Sequence, residues 1–200
     1  MMQLVLGISG ASGAPYARRL PQLLVGYELH LHLVVSPAAR QVMAAELDLP
    51  EFSVAGLLGR PADNVTLHSY RDLLAPLTSG SFPTAGMVVC PCSAHTLAAI
   101  AGGLADNLLT RAALVTLKEA RRLVLVPREM PLSAVTLERM LQLSRAGAII
   151  CPACPGFYHK PAAIDDLVDF VVARVLDLFG LPHHLATRWQ PPAPSDSAEG

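Results

Sequence analysis

The sequence has few charged residues, and this scarcity excludes several classes of protein. Asp, Glu, Lys and Arg make up only 16% of its 200 residues, and the formal net charge is −1 at pH 7. A chain with so balanced a charge has no general electrostatic attraction to nucleic acid or to an anionic membrane surface. We therefore expect no nucleic-acid partner.

Long apolar runs are also missing, although 52% of the residues are hydrophobic. No stretch of about 18 residues lacks both charge and proline, so we expect no membrane-spanning helix. The amino-terminal segment lacks a basic region followed by a cleavable apolar one, so no secretory signal is expected either. A cytoplasmic chain is the expectation, and its high apolar content predicts deeply buried helices or subunits that pack together.

Cysteine is scarce, with four residues in two pairs, Cys90 and Cys92, and Cys151 and Cys154. Two such pairs could in principle hold zinc. Each pair, however, directly follows a strongly apolar run, where small half-buried residues are expected at the end of a strand. We therefore expect reduced thiols and no metal site.

A glycine-rich stretch, residues 7–13 (GISGASG), is the most informative segment that is present. It follows an apolar run, Leu4 to Leu6, and precedes a segment with helical spacing, Ala14 to Val25. A strand, a glycine-rich turn and a helix in this order favour a phosphate site, and a tight turn without a ligand is the alternative. The spacing is not the dinucleotide G-x-G-x-x-G, and no acidic residue ends the second strand, which argues against an NAD dehydrogenase.

Apolar strand-like runs alternate with helical segments along the chain, which predicts an α/β fold with a doubly wound, mostly parallel sheet. We expect one domain over residues 1–189 and a disordered tail over residues 190–200. The carboxyl ends of parallel strands share one edge of a sheet, and ligands bind there. That rule brings together residues 7–13, 36–39, 91–96 and 127–129, whose hydroxyls, amides and single arginine suit a phosphorylated aromatic cofactor.

Other candidates have ordinary interpretations from the residues alone. Glu46, Glu119 and Glu138 resemble surface carboxylates on helices, and Asp106 is predicted to cap a helix that runs to Glu119. Residues 165–169 match D-D-x-x-D, the magnesium–diphosphate motif of helical prenyl synthases, but a helix start is favoured because acidic residues stabilise that end. The apolar neighbours of Arg174 predict that its charge has a partner.

Several segments together resemble one family, the UbiX-type flavin prenyltransferases of the flavin-containing cysteine decarboxylase superfamily. The matching segments cover nearly the whole chain to about residue 189, and they are residues 7–13, 79–81, 90–96, 105–108, 116–119, 123–131, 155–159 and 165–178. The Val-Pro-Arg-Glu and Phe-Tyr-His segments, in this order and spacing, are specific to that family.

The resemblance implies a flavodoxin-like or Rossmann-like three-layer sandwich that assembles as a homo-oligomer, expected to be a dodecamer. It implies that reduced FMN accepts a dimethylallyl group from dimethylallyl phosphate at N5 and then at C6, without a metal. The product, prenylated FMN, would pass to a UbiD-type decarboxylase.

The resemblance also assigns roles to residues of this sequence. The implied FMN contacts share the predicted edge of the sheet, and they are Gly10, Ala11, Ser12, Ser36, Ser93, Ala94, His95, Thr96 and Arg128. Tyr158, Arg174, Lys118 and Arg111 are implied to surround the prenyl phosphate. The implied catalytic group is Ser12, Glu46, Lys118 and Glu129, with Glu46 active in the later proton transfers. Some of these residues are expected to meet only across subunits.

Two alternatives share this fold and cofactor. One is an FMN-dependent decarboxylase of cysteinyl or phosphopantothenoylcysteine substrates, which would need an early catalytic histidine. His30 and His32 lie within a predicted strand, where packed histidines are the simpler interpretation. The other is a non-catalytic flavin-binding regulatory subunit, against which the joint presence of Glu46, Lys118, Tyr158 and Arg174 argues.

Overall fold

The computed structural model describes residues 1–185 and contains one six-stranded sheet. Every neighbouring pair of strands is parallel. The strands are β1 (Met2–Ile8), β2 (Leu29–Val35), β3 (Val65–His68), β4 (Gly86–Cys92), β5 (Arg122–Pro127) and β6 (Ile149–Ile150). The predicted α/β fold is therefore confirmed, with a sheet that is parallel throughout the described residues.

The strand order is β3-β2-β1-β4-β5-β6, which is the Rossmann arrangement rather than the flavodoxin one. The direction of winding reverses between β1 and β4, so a crevice opens beyond their carboxyl ends. Both strands are buried on both faces, as their continuous apolar runs require. The edge formed by the carboxyl ends of the strands is called the rim below, and the opposite edge is called the amino edge.

Helices cover both faces of the sheet and give three layers. They are α1 (Ala14–Leu24), α2 (Pro37–Leu47), α3 (Val54–Leu58), α4 (Ala94–Ala101), α5 (Leu108–Lys118), α6 (Ala134–Arg145) and α7 (Ile164–Leu178). Helices α1, α2, α3 and α7 share one core with the sheet, and α4, α5 and α6 share the other. The helices α1, α2 and α4 all begin at the rim, directly after β1, β2 and β4.

Local differences from the sequence-based prediction have identifiable causes. The cap of α5 is Asn107, not Asp106, because the Asn107 side chain accepts a hydrogen bond from the Thr110 amide at 3.0 Å. Asp106 instead accepts from the Asn107 side-chain amide at 2.8 Å and so orients the cap. Strand β6 has only two residues, and Pro21 lies inside α1 without ending it.

The predicted tail from residue 190 lies outside the described residues, so the single domain to residue 189 stays a prediction. Over residues 1–185, no helix is both long and apolar enough to cross a membrane. The same part of the chain holds no cluster of three or more His, Cys, Asp or Glu side chains arranged to bind a metal ion.

Candidate active site

Ser9 joins the two strands that flank the crevice. Its hydroxyl donates to the Pro91 carbonyl at 3.0 Å and accepts from the Ser93 amide at 2.7 Å, and its amide also donates to Pro91. These bonds hold the end of β1 against the end of β4, so the glycine turn and the start of α4 form one wall. Ser9 belongs to the predicted rim segment of residues 7–13, although the resemblance assigns it no role.

The glycine turn approaches its surroundings so closely that side chains could not fit. A β-carbon added at Gly10 would lie 2.5 Å from the β-carbon of Ala38, in the first turn of α2. Gly13 has φ +122°, a left-handed conformation that favours glycine. The turn therefore brings bare backbone to the start of two helices, as a phosphate-binding loop does.

Two serines cap the other helices of the rim. Ser36 accepts from the Ala39 amide at 3.0 Å, and Ser93 accepts from the Thr96 amide at 3.2 Å. The Ser93 hydroxyl also donates to the Thr96 hydroxyl at 3.1 Å. The first-turn amides of α4, at Ala94 and His95, have no acceptor within the helix by geometry, so they can bind an anion.

Glu46 is not the plain surface carboxylate that its position suggested. Its Oε2 accepts from the amides of Gly13 and Ala14 at 2.9 and 2.8 Å, although Glu46 lies near the end of α2. A carboxylate is thereby held against the positive end of the α1 dipole, immediately behind the glycine turn. The contact joins residues more than 30 positions apart and has no local sequence signal.

The surroundings of Glu46 keep it ionised. Partial burial raises the pKa of the Glu46 carboxyl, but the hydrogen bonds from Gly13, Ala14 and Ser12 and the charge of Arg128 outweigh burial and lower it. A carboxylate held by donors in this way is a fixed, negatively charged proton acceptor at neutral pH.

Arg128 lies at the rim beside the glycine turn that Glu46 contacts. Its Nε donates to the Ser12 carbonyl at 2.8 Å, and its side chain is otherwise exposed at the end of β5. The next residue, Glu129, is also exposed, and no hydrogen bond of its side chain forms within residues 1–185. The structure therefore brings together one group, called the rim cradle: residues 9–13, Ser36, Ser93–Thr96, Arg128 and Glu46.

Lys118 lies far from the rim cradle in the same chain. It ends α5, four residues before β5 begins, and pairs with Glu119 at 3.1 Å. A β-carbon added at Gly80 would lie 3.1 Å from Lys118 Nζ, so the loop of residues 79–81 packs against it at the amino edge. The six residues of β5 span about 20 Å, so Lys118 lies roughly one strand length from the rim.

Tyr158 and Arg174 form a third group, along α7. Tyr158 is 56% exposed and contacts the Phe170 ring edge-on, with centroids 5.7 Å apart. Arg174 follows Phe170 by one turn and pairs with Asp177 at 2.9 Å, so the predicted partner of its charge is present, but at an exposed site. Arg111 is exposed one turn into α5. Within one chain, Glu46 and Arg128 thus lie in the rim cradle, Lys118 lies at the amino edge, and Tyr158 and Arg174 lie along α7.

The D-D-x-x-D segment has the structural role that was favoured for it. Asp166 accepts from the amides of Ala162 and Ala163 at 2.8 and 3.0 Å, at the start of α7. Asp169 forms an ion pair with Arg19 of α1, with Asp169 Oδ1 2.6 Å from Nε. Two of the three carboxylates are therefore committed to holding α7 in place.

The cysteines are unpaired, and two of them are inert by burial. Cys90 and Cys92 are completely buried in β4, and burial raises the pKa of the Cys92 thiol to about 12 and that of Cys90 further. A thiol with so high a pKa is a poor metal ligand and a poor nucleophile at neutral pH.

The rim cradle fits a flavin mononucleotide. It offers first-turn helix amides, hydroxyls and one arginine for a phosphate. These are the donors that a phosphorylated ligand requires.

Comparisons with known proteins identify the family of this chain. Residues 1–176 match the model of the family described as Flavoprotein. The chain is 48% identical over 195 residues to the flavin prenyltransferase UbiX of Pseudomonas aeruginosa, covering 94% of this chain and 93% of the relative. Solved decarboxylases at 21% identity or less, among them the cysteine decarboxylase TvaF and the peptidyl-cysteine decarboxylase EpiD, show a likeness in fold alone.

Solved structures are also similar over nearly the whole chain, among them one of a UbiX protein and one of a UbiX-like protein. The structure of AnUbiX with FMN and dimethylallyl pyrophosphate has a TM-score of 0.88 and 42% identity, covering 95% of this chain and 98% of that one. A dodecameric FMN-dependent UbiX-like decarboxylase from Escherichia coli O157:H7 also has a TM-score of 0.88, with 48% identity over 95% of this chain and all of that one. The fold and the rim cradle thus define a flavoprotein. Within that class, the chain belongs to the UbiX flavin prenyltransferases.

Proposed function

We propose that this protein transfers a dimethylallyl group from dimethylallyl phosphate to reduced FMN and releases prenylated FMN for a UbiD-type decarboxylase. The observation that carries the proposal is the rim cradle. In it, the fixed carboxylate of Glu46 lies directly behind a glycine turn of the kind that binds a phosphate. The similarity to UbiX enzymes over more than nine-tenths of the chain supports the same reaction. The four free thiols are compatible with the reducing cytoplasm, where we propose that the protein acts.

The rim cradle would hold the flavin through backbone and hydroxyl donors. We assign this binding to Gly10, Ala11, Ser12, Ser36, Ser93, Ala94, His95, Thr96 and Arg128. Reduced FMN would supply the nucleophilic N5 and C6 positions that accept the dimethylallyl group.

The remaining assigned residues would act on the prenyl donor. Lys118, Arg174 and Arg111 are cations, and Tyr158 is a hydroxyl donor, so together they can stabilise the charge of a departing phosphate. An allylic group leaves more readily when that charge is stabilised. Glu129, beside Arg128, would balance the charge of this group.

Glu46 would accept the proton that leaves the flavin carbon when it is substituted. Its carboxylate is ionised, and the amides of Gly13 and Ala14 fix its position. A positioned carboxylate of this kind contributes roughly 10²- to 10⁴-fold to a proton-transfer step. Ser12, which also hydrogen-bonds Glu46, would keep the carboxylate oriented.

The separation of the groups in one chain requires a second copy to complete the site. Lys118 lies at the amino edge and the rim cradle at the rim, about 20 Å away by strand length. We propose that neighbouring subunits of a homododecamer bring Lys118 to the cradle. The dodecameric E. coli relative supports that assembly.

Subunit mixing tests the shared site. Chains carrying Glu46→Gln and chains carrying Lys118→Met, each inactive alone, should regain about a quarter of wild-type activity when co-assembled, because about a quarter of the sites pair two intact halves. The matched control mixes Glu46→Gln with Ser12→Ala, which lie in the same cradle and cannot complement. Absence of recovery in the first mixture would place Lys118 outside the shared site.

Reconstitution tests the product. The purified oligomer, reduced FMN and dimethylallyl phosphate are incubated anaerobically, and the filtrate is added to an inactive UbiD-type decarboxylase prepared without its cofactor. We expect decarboxylation to appear only when all three components are present. A parallel incubation with dimethylallyl diphosphate decides which donor is preferred, and failure with both donors would contradict the proposal.

A further inference from the structure

The rings of Tyr158, His159 and Phe170 form a cluster, and Tyr158 is the residue that we assign to the prenyl phosphate. His159 stacks on Phe170 of α7, with centroids 5.2 Å apart and an angle of 15° between the rings. Tyr158 meets both rings edge-on, at 5.9 Å from His159 and 5.7 Å from Phe170. Such offset-stacked and edge-on pairs are favourable arrangements of aromatic rings.

This cluster is what holds Tyr158. Its side chain is 56% exposed, and its hydroxyl makes no hydrogen bond within residues 1–185. A β-carbon added at Gly156 would lie 3.1 Å from both the Tyr158 and Phe170 rings, so the chain enters the cluster tightly. The direction of the Tyr158 ring therefore depends on its contacts with His159 and Phe170.

The cluster also lies on the same stripe of α7 as Arg174. Asp166, Phe170 and Arg174 follow one another at intervals of four residues, so they share one face of the helix. Asp166 fixes the end of the loop through the amides of Ala162 and Ala163. The loop of residues 157–163 is thus attached to α7 at Asp166 and at Phe170, one turn before Arg174.

The ring nitrogens of His159 point to packing as its role. Both are buried, and neither has a hydrogen-bond partner among the described residues. The nitrogens therefore make no hydrogen bond that could orient Tyr158. The ring of His159, by contrast, stacks on Phe170.

We propose that His159 is a positioning residue whose ring, packed on Phe170, holds Tyr158 towards the prenyl phosphate. The inference rests on the proposed function, because it takes Tyr158 as a phosphate contact. It is the ring, and not the nitrogens, that performs this positioning. A phenylalanine should therefore replace His159, and an alanine should not.

The test measures binding as well as turnover. The FMN-loaded, oxidised oligomer is titrated with dimethylallyl phosphate by calorimetry, so that no transfer occurs. His159→Ala should weaken binding about 3- to 10-fold, which corresponds to the loss of one or two aromatic contacts. It should raise KM for dimethylallyl phosphate by the same factor, and the FMN dissociation constant should stay within about twofold.

Two further variants make the test specific. His159→Phe should return the affinity for dimethylallyl phosphate to within about twofold of wild type. His184→Ala removes an exposed histidine outside the cluster and should change nothing.

Several outcomes would overturn the inference. They are an unchanged affinity in His159→Ala, an equal loss in His159→Phe, or a parallel loss of FMN. Failure of wild type to bind dimethylallyl phosphate would overturn it as well. Wild-type binding of the donor without prenyl transfer would instead refute the proposed function and leave the positioning effect measurable by calorimetry.

Discussion

The replacement Glu46→Gln separates the chemical role of Glu46 from its structural one. Glutamine has nearly the same shape and keeps an oxygen that can accept from the Gly13 and Ala14 amides. It loses the negative charge that faces the α1 dipole and Arg128. We therefore expect the cradle to keep its geometry while the proton acceptor disappears.

The structural cost can be worked out from the contacts. Two charge-assisted hydrogen bonds become neutral ones, and a favourable charge at a helix amino terminus is lost. Because Glu46 is partly exposed, we take the low end of these ranges and expect the free energy of unfolding to fall by about 1 kcal/mol at pH 7. FMN should remain bound, since the hydroxyl and amide donors of the cradle are unchanged.

The pH dependence of that difference has a definite sign. The folded pKa of Glu46 lies below its unfolded value, so the stabilisation is present above the unfolded pKa and is lost as the pH falls through the folded pKa. Urea unfolding of wild type and Glu46→Gln should therefore differ at pH 7 and converge as the pH falls through the folded pKa of Glu46. Divergence at acid pH would mean that the carboxylate is not stabilised as the structure indicates.

The effect of Glu46→Gln on turnover should be much larger than its effect on stability. Loss of a positioned general base lowers turnover by roughly 10²- to 10⁴-fold. Prenylated FMN formed per bound flavin, measured anaerobically by chromatography, gives that ratio directly. Glu138→Gln, on the exposed surface of α6, is the matched control. A Glu46→Gln turnover within about threefold of wild type, with FMN bound, would refute the assignment of Glu46 as base.

Three further predictions follow from single contacts. Gly10→Ala should reduce FMN affinity and lower stability by about 1–3 kcal/mol, because its β-carbon collides with Ala38; unchanged fluorescence titrations would contradict this. Lys118→Met should change stability by less than about 0.5 kcal/mol, since its pair with Glu119 is exposed, yet abolish prenyl transfer; a stable and active variant would exclude Lys118 from the site. Burial first, and then the neighbouring imidazoles, lower the pKa of His32 to about 4, so the unfolded chain binds more protons between that pKa and the ordinary one. Urea unfolding should therefore show a loss of about 2 kcal/mol from pH 7 to pH 4.5, and a flat profile would contradict it.

Most of the rim could be predicted from the sequence because its signals are local. A buried strand followed by a glycine or a capping serine fixes the positions of residues 7–13, Ser36 and Ser93, and a parallel sheet then brings them to one edge. In the structure, Ser36 caps α2 and Ser93 caps α4, each directly after a buried strand. The prediction that Asp106 caps α5 was wrong, because Asp106 and Asn107 are adjacent residues that can each cap a helix and the pattern does not distinguish them. In the structure, Asn107 is the cap.

The rest of the candidate site depends on contacts between distant parts of the chain. Nothing near Glu46 in the sequence reveals that its carboxylate reaches the amides of Gly13 and Ala14. Lys118 lies at the amino edge because it ends α5, and the chain then enters the amino end of β5. That position follows from the topology and not from the residues near Lys118. The resemblance to UbiX enzymes assigned both residues where periodicity could not. The proposed meeting of Lys118 with the rim cradle depends on contacts between copies, and no pattern within one chain encodes such contacts.

The most direct test of the account is the mass of the flavin extracted after anaerobic incubation of the wild-type oligomer with reduced FMN and dimethylallyl phosphate. The account predicts FMN heavier by one prenyl unit, formed only when protein and donor are both present. Recovery of unmodified FMN from an oligomer that binds it would contradict the transferase and leave a flavin-binding protein with other chemistry.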